Sequence, residues 1–336
     1  MRADKKLAAA TLASLALFGA QKAVQAKAVM VPFVAIGNGW QTIVSYATDT
    51  QLSTNTLHIA YNIKPALSYG QCLHADGFVS TSTNDLTSFF VDGTTNTPTP
   101  IYGDTVGGAY APVAGANTYF GFMAVATEDA AGNVSAGAAQ LAVDTISFNA
   151  GLRFLYAQRS IDLNHLAAGQ AVINAGTGLT TLQTTKFMTF APADANPMVY
   201  AVGVATNVAN ANVFGVPYNV PIALNKTNNN WWNRREATFS DGTGLFDYCV
   251  TLWSVCAPSS APTNGLISNL NCQTGTIFAQ AGGWFHLVNN ATNVVTALAT
   301  IPGVNTTPNV IVFKVESNPA YGWAVTPLHP MPYTTE

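Results

Sequence analysis

The chain has 336 residues, of which 9% are charged and 49% hydrophobic, and its formal net charge is −3 at pH 7. Typical soluble domains carry about 25% charged residues, so much of this surface must be built from Thr, Asn, Ser, Gly and Ala. No basic cluster occurs, which argues against nucleic acid and anionic membrane as partners. Aromatic residues make up 10% of the chain, too many for a disordered protein. These values favour a folded protein whose weakly charged surface suits coverage by copies of itself.

Residues 1–26 have the pattern of a cleavable secretory leader. A basic start with Arg2, Lys5 and Lys6 precedes an apolar run from Leu7 to Ala20, and small residues lie at the predicted cleavage site. The run is too short to span a bilayer as a permanent helix, and no second long apolar segment follows it. We therefore expect a secreted protein, extracellular or at the cell surface, with no membrane span.

Directly after the leader lies an apolar segment from Ala28 to Tyr46, AVMVPFVAIGNGWQTIVSY. Its pattern predicts a strand, a Gly37-Asn38-Gly39 turn and a second strand. Pro32 cannot donate a ladder hydrogen bond, which favours an edge strand or an added strand over the centre of a sheet. Pairing with the second strand in its own domain and donation to a neighbouring copy both stay open. Donation would use residues 28–36, with these assembly side chains: Val29, Val31, Phe33, Val34 and Ile36.

Short strand-like runs separated by turn residues dominate the rest of the chain. Thr56 to Ile63 and Leu86 to Val91 are two of them, whereas Ile161 to Asn174 is the one segment of the mature chain that predicts a helix. The pattern favours an all-β fold, either one large antiparallel β-sandwich or two consecutive ones. The predicted division is the leader at 1–26, an N-terminal β-sandwich at 27–146 and a C-terminal β-rich domain at 147–336, with one continuous sandwich as the alternative.

The run from Tyr119 to Asp144, YFGFMAVATEDAAGNVSAGAAQLAVD, predicts a strand, a tight turn near Gly132 and a returning strand. It resembles the closing hairpin of bacterial fibronectin type III-like and immunoglobulin-like modules, in which a Tyr/Val/Ala strand meets an AGN-S turn. Gly121 occupies a position where those modules usually carry an aromatic residue. The resemblance implies a sandwich of this type that ends near Asp144, with a spacer or binding role and no chemistry of its own.

Four cysteines in an exported chain predict two disulfides. Cys256 and Cys272 enclose a loop rich in Pro, Ser and Asn, so that a local bridge would contribute about 3 kcal/mol through loop entropy. Cys72 and Cys249 lie in strand-like runs and would tie distant parts of the chain together. Of the three possible connectivities, the sequence favours Cys256–Cys272 with Cys72–Cys249.

The chain contains no nucleophile-elbow serine and no HExxH, P-loop, EF-hand or haem-attachment motif. Cys72, His74 and Asp76 share one face of a strand and could hold a soft metal, but an oxidised Cys72 and a surface His74 are favoured instead. Glu128 is assigned to the turn that follows its strand. We expect no enzyme activity, no cofactor and no metal.

The densest chemical cluster is formed by Trp231, Trp232, Arg234, Arg235 and Glu236. Adjacent tryptophans beside two arginines could stack on sugar rings or hold a partner's strand. The structural alternative places one Trp in the core and one at its rim, with an Arg–Glu ion pair beside them. The cluster is the candidate ligand or partner contact, and it supports a secreted carbohydrate-binding or carbohydrate-cleaving β-protein as the alternative function.

The leading hypothesis is an extracellular structural protein that forms a surface filament, sheath or layer. Residues 28–36 of one copy would join the sheet of the next, where main-chain hydrogen bonds supply continuity and alternate apolar side chains supply register. The expected partners are copies of the chain itself, with an extracellular glycan as the second choice.

Overall fold

The computed structural model describes residues 28–49, 56–66, 68, 72–80, 85–95, 98–101, 117–128, 140–162, 185–190, 196–204, 221–225, 231–233, 238–239, 244–254, 283–289, 309–318 and 322–327. The regular secondary structure of these residues consists of β-strands, so this part of the chain has the all-β fold that the sequence predicts. Among the same residues, no helix has the length and apolar character needed to cross a membrane.

The strands form three sheets and are numbered along the chain. They are β1 Ala28–Ile36, β2 Trp40–Asp49, β3 Thr56–Pro65, β4 Leu73–Ser80, β5 Leu86–Val91, β6 Thr99–Pro100, β7 Tyr119–Glu128, β8 Gln140–Asn149, β9 Phe154–Arg159, β10 Ile161–Asp162, β11 Thr185–Phe190, β12 Asn196–Val204, β13 Pro221–Asn225, β14 Trp231–Asn233, β15 Thr238–Phe239, β16 Gly244–Tyr248, β17 Val250–Ser254, β18 Gly283–Asn289, β19 Asn309–Asn318 and β20 Gly322–Pro327.

A five-stranded antiparallel sheet, in the order β10-β1-β7-β3-β4, forms the centre of the described fold. A second sheet has nine strands in the order β17-β12-β19-β20-β9-β8-β2-β5-β6. Its side chains pack on both faces of the five-stranded sheet. One face packs on β2, β5 and β8 through residues such as Val44, Phe89 and Val143. The opposite face packs on β9, β12 and β19 through residues such as Phe154 and Tyr200. Because both faces are covered, all residues of β1 and β7 are buried.

The Gly37-Asn38-Gly39 turn is present, but β1 and β2 do not continue as a paired hairpin. Asn38 and Gly39 have φ values of 49° and 80°, and the amide of Trp40 donates to the carbonyl of Gly37 over 2.9 Å, as in a type I′ turn. Beyond the turn, β1 pairs with β7 and β10, whereas β2 pairs with β5 and β8. Of the two alternatives left open by the sequence, pairing of the two strands as a hairpin is therefore wrong, because each strand fills a place in a different sheet.

The predicted hairpin between Tyr119 and Asp144 is also wrong in its pairing. β7 lies between β1 and β3, and β8 lies between β2 and β9. Since both edges of each strand are occupied by other strands, the two cannot pair with each other. The predicted turn near Gly132 lies outside the described residues.

The predicted helix starting at Ile161 is wrong at its first residues. Ile161 and Asp162 form β10 and pair with Met30 and Val29, because the edge of β1 offers ladder hydrogen bonds to an extended chain. The rest of that segment, 163–174, lies outside the described residues. The division at residues 146 and 147 stays a prediction; β8 runs through this point, and the nine-stranded sheet contains strands from both sides of it.

The structure contains the Cys72–Cys249 disulfide that the sequence predicts. The two Cα atoms are 5.9 Å apart, and the bridge joins positions separated by 177 residues. It ties the start of β4, the edge strand of the five-stranded sheet, to the short connection between β16 and β17. Cys256 and Cys272 lie outside the described residues, so the second predicted bridge stays a prediction.

Candidate functional site

The predicted assembly strand lies in what we call the β1 groove, formed by β7 and β10 at the edges of β1 and by side chains of β2, β9 and β12. Its register with β7 runs from Ala28 opposite Ala126 to Ile36 opposite Tyr119. Four of the five predicted assembly side chains face the core shared with β2, β5 and β8: Val29, Val31, Val34 and Ile36. The fifth, Phe33, belongs to the opposite core.

A β-bulge explains why Phe33 differs from the valines. The register between β1 and β7 shifts between Val31 and Val34, so Pro32 and Phe33 together occupy the bulge. β1 is an interior strand at its start, because β10 pairs with Val29 and Met30. Among the described residues Pro32 lies beyond this pairing and in the bulge opposite β7, so its missing N–H needs no ladder partner. The edge position expected from Pro32 is therefore wrong only for the start of the strand. The extra residue also reverses the alternation, so Val29, Val31 and Phe33 do not share one face.

Five aromatic rings surround Phe33, which is 3% exposed. The distances from its ring centroid are 5.0 Å to Tyr200, 5.7 Å to Phe120, 5.9 Å to Tyr156, 6.0 Å to Phe154 and 6.4 Å to Trp40. Three of these contacts, with Tyr200, Tyr156 and Trp40, are edge-on, the geometry that the ring quadrupole favours. We call these five rings the Phe33 cage.

The hydroxyl of Tyr200 lies at the bulge itself, 2.9 Å from the carbonyl oxygen of Pro32 and 2.7 Å from that of Gly121. Burial raises the pKa of Tyr200 well above its usual value, and neighbouring Tyr156 adds to the shift. The hydroxyl therefore keeps its single proton and shares it between these two carbonyl acceptors. The side-chain amide of Gln158 donates to the carbonyl of Phe33. Both carbonyls of the bulge thus have partners other than a neighbouring strand.

The turn that ends β1 is held by contacts with two other segments. The amide nitrogen of Asn149 donates to the carbonyl of Asn38 over 3.2 Å, and the backbone amide of Gly37 donates to the carbonyl of Asp92 over 2.9 Å. Where β1 and β2 diverge, the hydroxyl of Thr42 bonds both the amide and the carbonyl of Ala35. Release of β1 would have to break these polar contacts as well as the apolar ones.

A second cluster, centred on His58, joins β3, β4 and β7. His58 lies in the middle strand, and its ring nitrogens are 2.8 Å from Oε2 of Glu128 and 2.8 Å from Oδ1 of Asp76. His74 lies 3.1 Å from the same Asp76 oxygen, and the ring of Phe78 stacks on His58 at 4.7 Å. The sequence did not predict this cluster, since its members come from three separated strands and only the register brings them together.

Burial alone would lower the pKa of His58, but its hydrogen bonds to Asp76 and Glu128 and the charges of both carboxylates raise it to about 9. Burial would likewise raise the pKa of Asp76, but hydrogen bonds from His58 and His74 hold it below its usual value. His58 is therefore an imidazolium ion that donates from both nitrogens. With both nitrogens occupied, it ties the strands together and is not available as a base or metal ligand.

Two expectations for these residues change accordingly, and a third is confirmed. Glu128, assigned to a turn, instead accepts a hydrogen bond from His58. His74, expected at the surface, has a side chain that is only 3% exposed. Cys72 is oxidised, as the sequence favours, so it does not join His74 and Asp76 as a ligand. Within the described parts of the chain, no group of three or more His, Cys, Asp or Glu side chains is arranged to hold a metal ion.

The His58 cluster predicts how stability depends on pH. A raised His pKa contributes stability that is complete below the unfolded value of 6.5 and is lost as pH rises towards about 9. The lowered Asp76 pKa contributes stability that is lost as pH falls below 3.8. We therefore expect these groups to stabilise the fold most between pH 3.8 and 6.5. Urea unfolding followed by circular dichroism at a series of pH values measures this.

The control is His58→Gln, whose side chain does not titrate. The difference in unfolding free energy between wild type and variant should shrink between pH 6.5 and 9. A difference that stays constant across this range would show that His58 is not the titrating group.

The predicted tryptophan cluster lies in a third sheet, β15-β14-β18-β13-β16, in which β11 also pairs with β18. The register of β14 pairs Trp231 with Phe239 and Phe285, and Trp232 with Trp284. Aromatic residues therefore occupy neighbouring positions on three adjacent strands. Arg234 and Arg235 lie outside the described residues.

Comparison with known proteins returns no match: no family model fits the chain, and no curated protein or solved structure matches it. The resemblance of residues 119–144 to fibronectin type III-like and immunoglobulin-like modules stays an expectation from the sequence.

Proposed function

We propose that the protein is an extracellular structural protein, the subunit of a surface filament, sheath or layer, in which β1 of one copy fills the β1 groove of the next. The observation that carries the proposal is the position of β1: a nine-residue strand near the predicted mature N-terminus, buried on both faces and joined to the fold by one tight turn. Because identical copies offer identical grooves, exchange of the strand preserves every contact of the groove.

The turn supplies a hinge for such an exchange. Gly37 and Gly39 have φ values of 77° and 80° in the closed turn, and glycine adopts extended conformations equally well. Opening the turn would release the hydrogen bonds from Asn149 to Asn38 and from Gly37 to Asp92. In exchange, β1 recovers its apolar contacts in a neighbour. The weakly charged surface, with 9% charged residues in the chain, puts little electrostatic repulsion between copies.

A cysteine pair between β1 and β7 tests the proposal without weakening either strand. Ala28 and Ala126 are directly opposite each other and fully buried, so Ala28→Cys with Ala126→Cys places two thiols at the spacing of a disulfide. After assembly and oxidation, strand exchange is expected to give a ladder of covalent multimers on non-reducing denaturing gels.

The two single-cysteine variants are the matched controls, because neither can form the designed bridge and neither should produce a ladder. A double variant that assembles but cross-links only within single chains would refute strand exchange. A wild-type protein that stays monomeric in electron micrographs at high concentration would refute the structural role itself.

The register of β14 favours one second candidate, a secreted carbohydrate-binding or carbohydrate-cleaving protein. In the register of β14 and β18, Trp231 lies opposite Phe285 and Trp232 lies opposite Trp284. Trp231 and Trp232 therefore each have an aromatic residue at the facing position, and tryptophan is enriched at binding interfaces. Glycan-array binding that is lost in both Trp231→Ala and Trp232→Ala would favour this candidate over assembly.

A further inference from the structure

We propose that the β1 groove is a sequence-selective site for a Pro-Phe strand, with the Phe33 cage and the Tyr200 hydroxyl as its recognition elements. The inference deepens the proposed function and rests on it, since a second copy's residues 28–36 are then the ligand. It names the part of the groove that selects this strand and fixes its register.

The Phe33 cage supplies most of the selectivity in side-chain shape. Its rings come from separate strands: Trp40 from β2, Phe120 from β7, Phe154 and Tyr156 from β9, and Tyr200 from β12. The other side chains of β1 are Ala, Val, Met, Pro and Ile, so Phe33 is the only aromatic ring that the strand brings to the groove. A strand that lacks an aromatic side chain at this position would leave the cage without its central ring.

Tyr200 and Gly121 supply the selectivity in backbone shape. A regular strand has no carbonyl at the place where the bulge directs that of Pro32, 2.9 Å from the Tyr200 hydroxyl. The same hydroxyl contacts the carbonyl of Gly121, so it binds β1 and β7 at the same time. Proline suits the bulge because it has no N–H that would be left without a ladder partner.

The two elements together make the site sensitive to register. Moving Pro-Phe by one position along the strand would carry the bulge away from Tyr200 and turn the aromatic ring to the other face of the sheet. A generic apolar groove would accept the moved pair, because composition and hydrophobicity are unchanged. Selectivity against a one-residue shift therefore separates this proposal from general strand addition.

The test uses the full-length chain and fluorescent synthetic peptides with two added lysines for solubility. The native peptide has the sequence AVMVPFVAI, and the matched control, AVMPFVVAI, contains the same residues with Pro-Phe moved by one position. Full-length Phe33→Ala is the acceptor, because its own β1 is weakened; wild type in about 1–2 M urea replaces it if the variant does not fold. Binding is measured by fluorescence anisotropy and by co-elution in size exclusion.

We expect the native peptide to bind at least about 100-fold more tightly than either the shifted peptide or a peptide with Phe33→Ala. Tyr200→Phe in the acceptor, which removes only the hydroxyl, should weaken the native peptide about fivefold. Equal binding of native and shifted peptides, or no binding of either, would overturn the proposal.

The peptide and cysteine experiments fail independently. Unselective peptide binding together with interchain cross-links would leave strand exchange standing and refute the selective site. Selective peptide binding together with cross-links confined to single chains would leave the site standing and refute its use between copies.

Discussion

Gly121→Ala is expected to lower the free energy of unfolding by about 3 kcal/mol or more, because the added Cβ has no room. It would overlap the carbonyl oxygen of Asn62 and lie 2.5 Å from Cγ2 of Ile63, both on the adjacent strand β3. A backbone carbonyl in an interior strand cannot move aside as a flexible side chain can. Chemical unfolding monitored by tryptophan fluorescence measures the loss.

Gly151→Ala is the matched control. Its Cβ would meet only Oδ1 of Asn149, at 3.4 Å, and the residue is exposed. We expect a change within about 0.5 kcal/mol. If both variants unfold at the same urea concentration, β3 and β7 are not packed as closely at Gly121 as the structure requires.

Phe33→Ala is expected to cost about 3–5 kcal/mol, the range for truncating a buried phenylalanine. The loss is large because five aromatic rings would border the resulting cavity and because their separate strands limit its collapse. Total stabilities of domains are about 5–15 kcal/mol, so this single change could remove a large share. The shift in thermal or urea midpoint is the measurement.

Leu155→Ala serves as the comparison on β9, since Leu155 is 65% exposed and close in sequence to two rings of the Phe33 cage. Its unfolding free energy should change by no more than about 0.5 kcal/mol. An unchanged midpoint for Phe33→Ala would mean that β1 does not occupy the cage in solution.

The sequence predicts where strands lie but not how they pair. The predicted strands from Thr56 to Ile63 and from Leu86 to Val91 correspond closely to β3 and β5. Burial of one or both faces of a strand places apolar residues in a pattern that can be read from the local sequence. Pairing depends on contacts between distant segments. Nothing near Ala28 indicates that its partner is Ala126 instead of a residue of β2.

The roles of Pro32 and His58 also depend on contacts that the sequence does not reveal. Pro32 is visible in the sequence as an irregularity, but an edge and a bulge tolerate the missing N–H equally well, and only the register of β1 with β7 reveals the bulge. In the sequence, His58 is one of several polar residues that alternate with apolar ones along β3. Its charge state follows from Asp76 and Glu128, which only the register of three strands reveals.

The distance along the chain between β1 and the residues that hold it has a kinetic consequence. The Tyr200 hydroxyl bonds a carbonyl 168 residues away, and the Cys72–Cys249 bridge joins positions 177 residues apart. Contacts between residues so far apart in the sequence form late in folding, because the chain loses the entropy of closing the loop before the contact contributes any stabilising free energy. Of the described strands, β1 is then the first in chain order and among the last to be fixed. If copies exchange β1 as proposed, grooves of other chains would compete for it during that interval, and chain concentration and folding rate would decide which groove it enters.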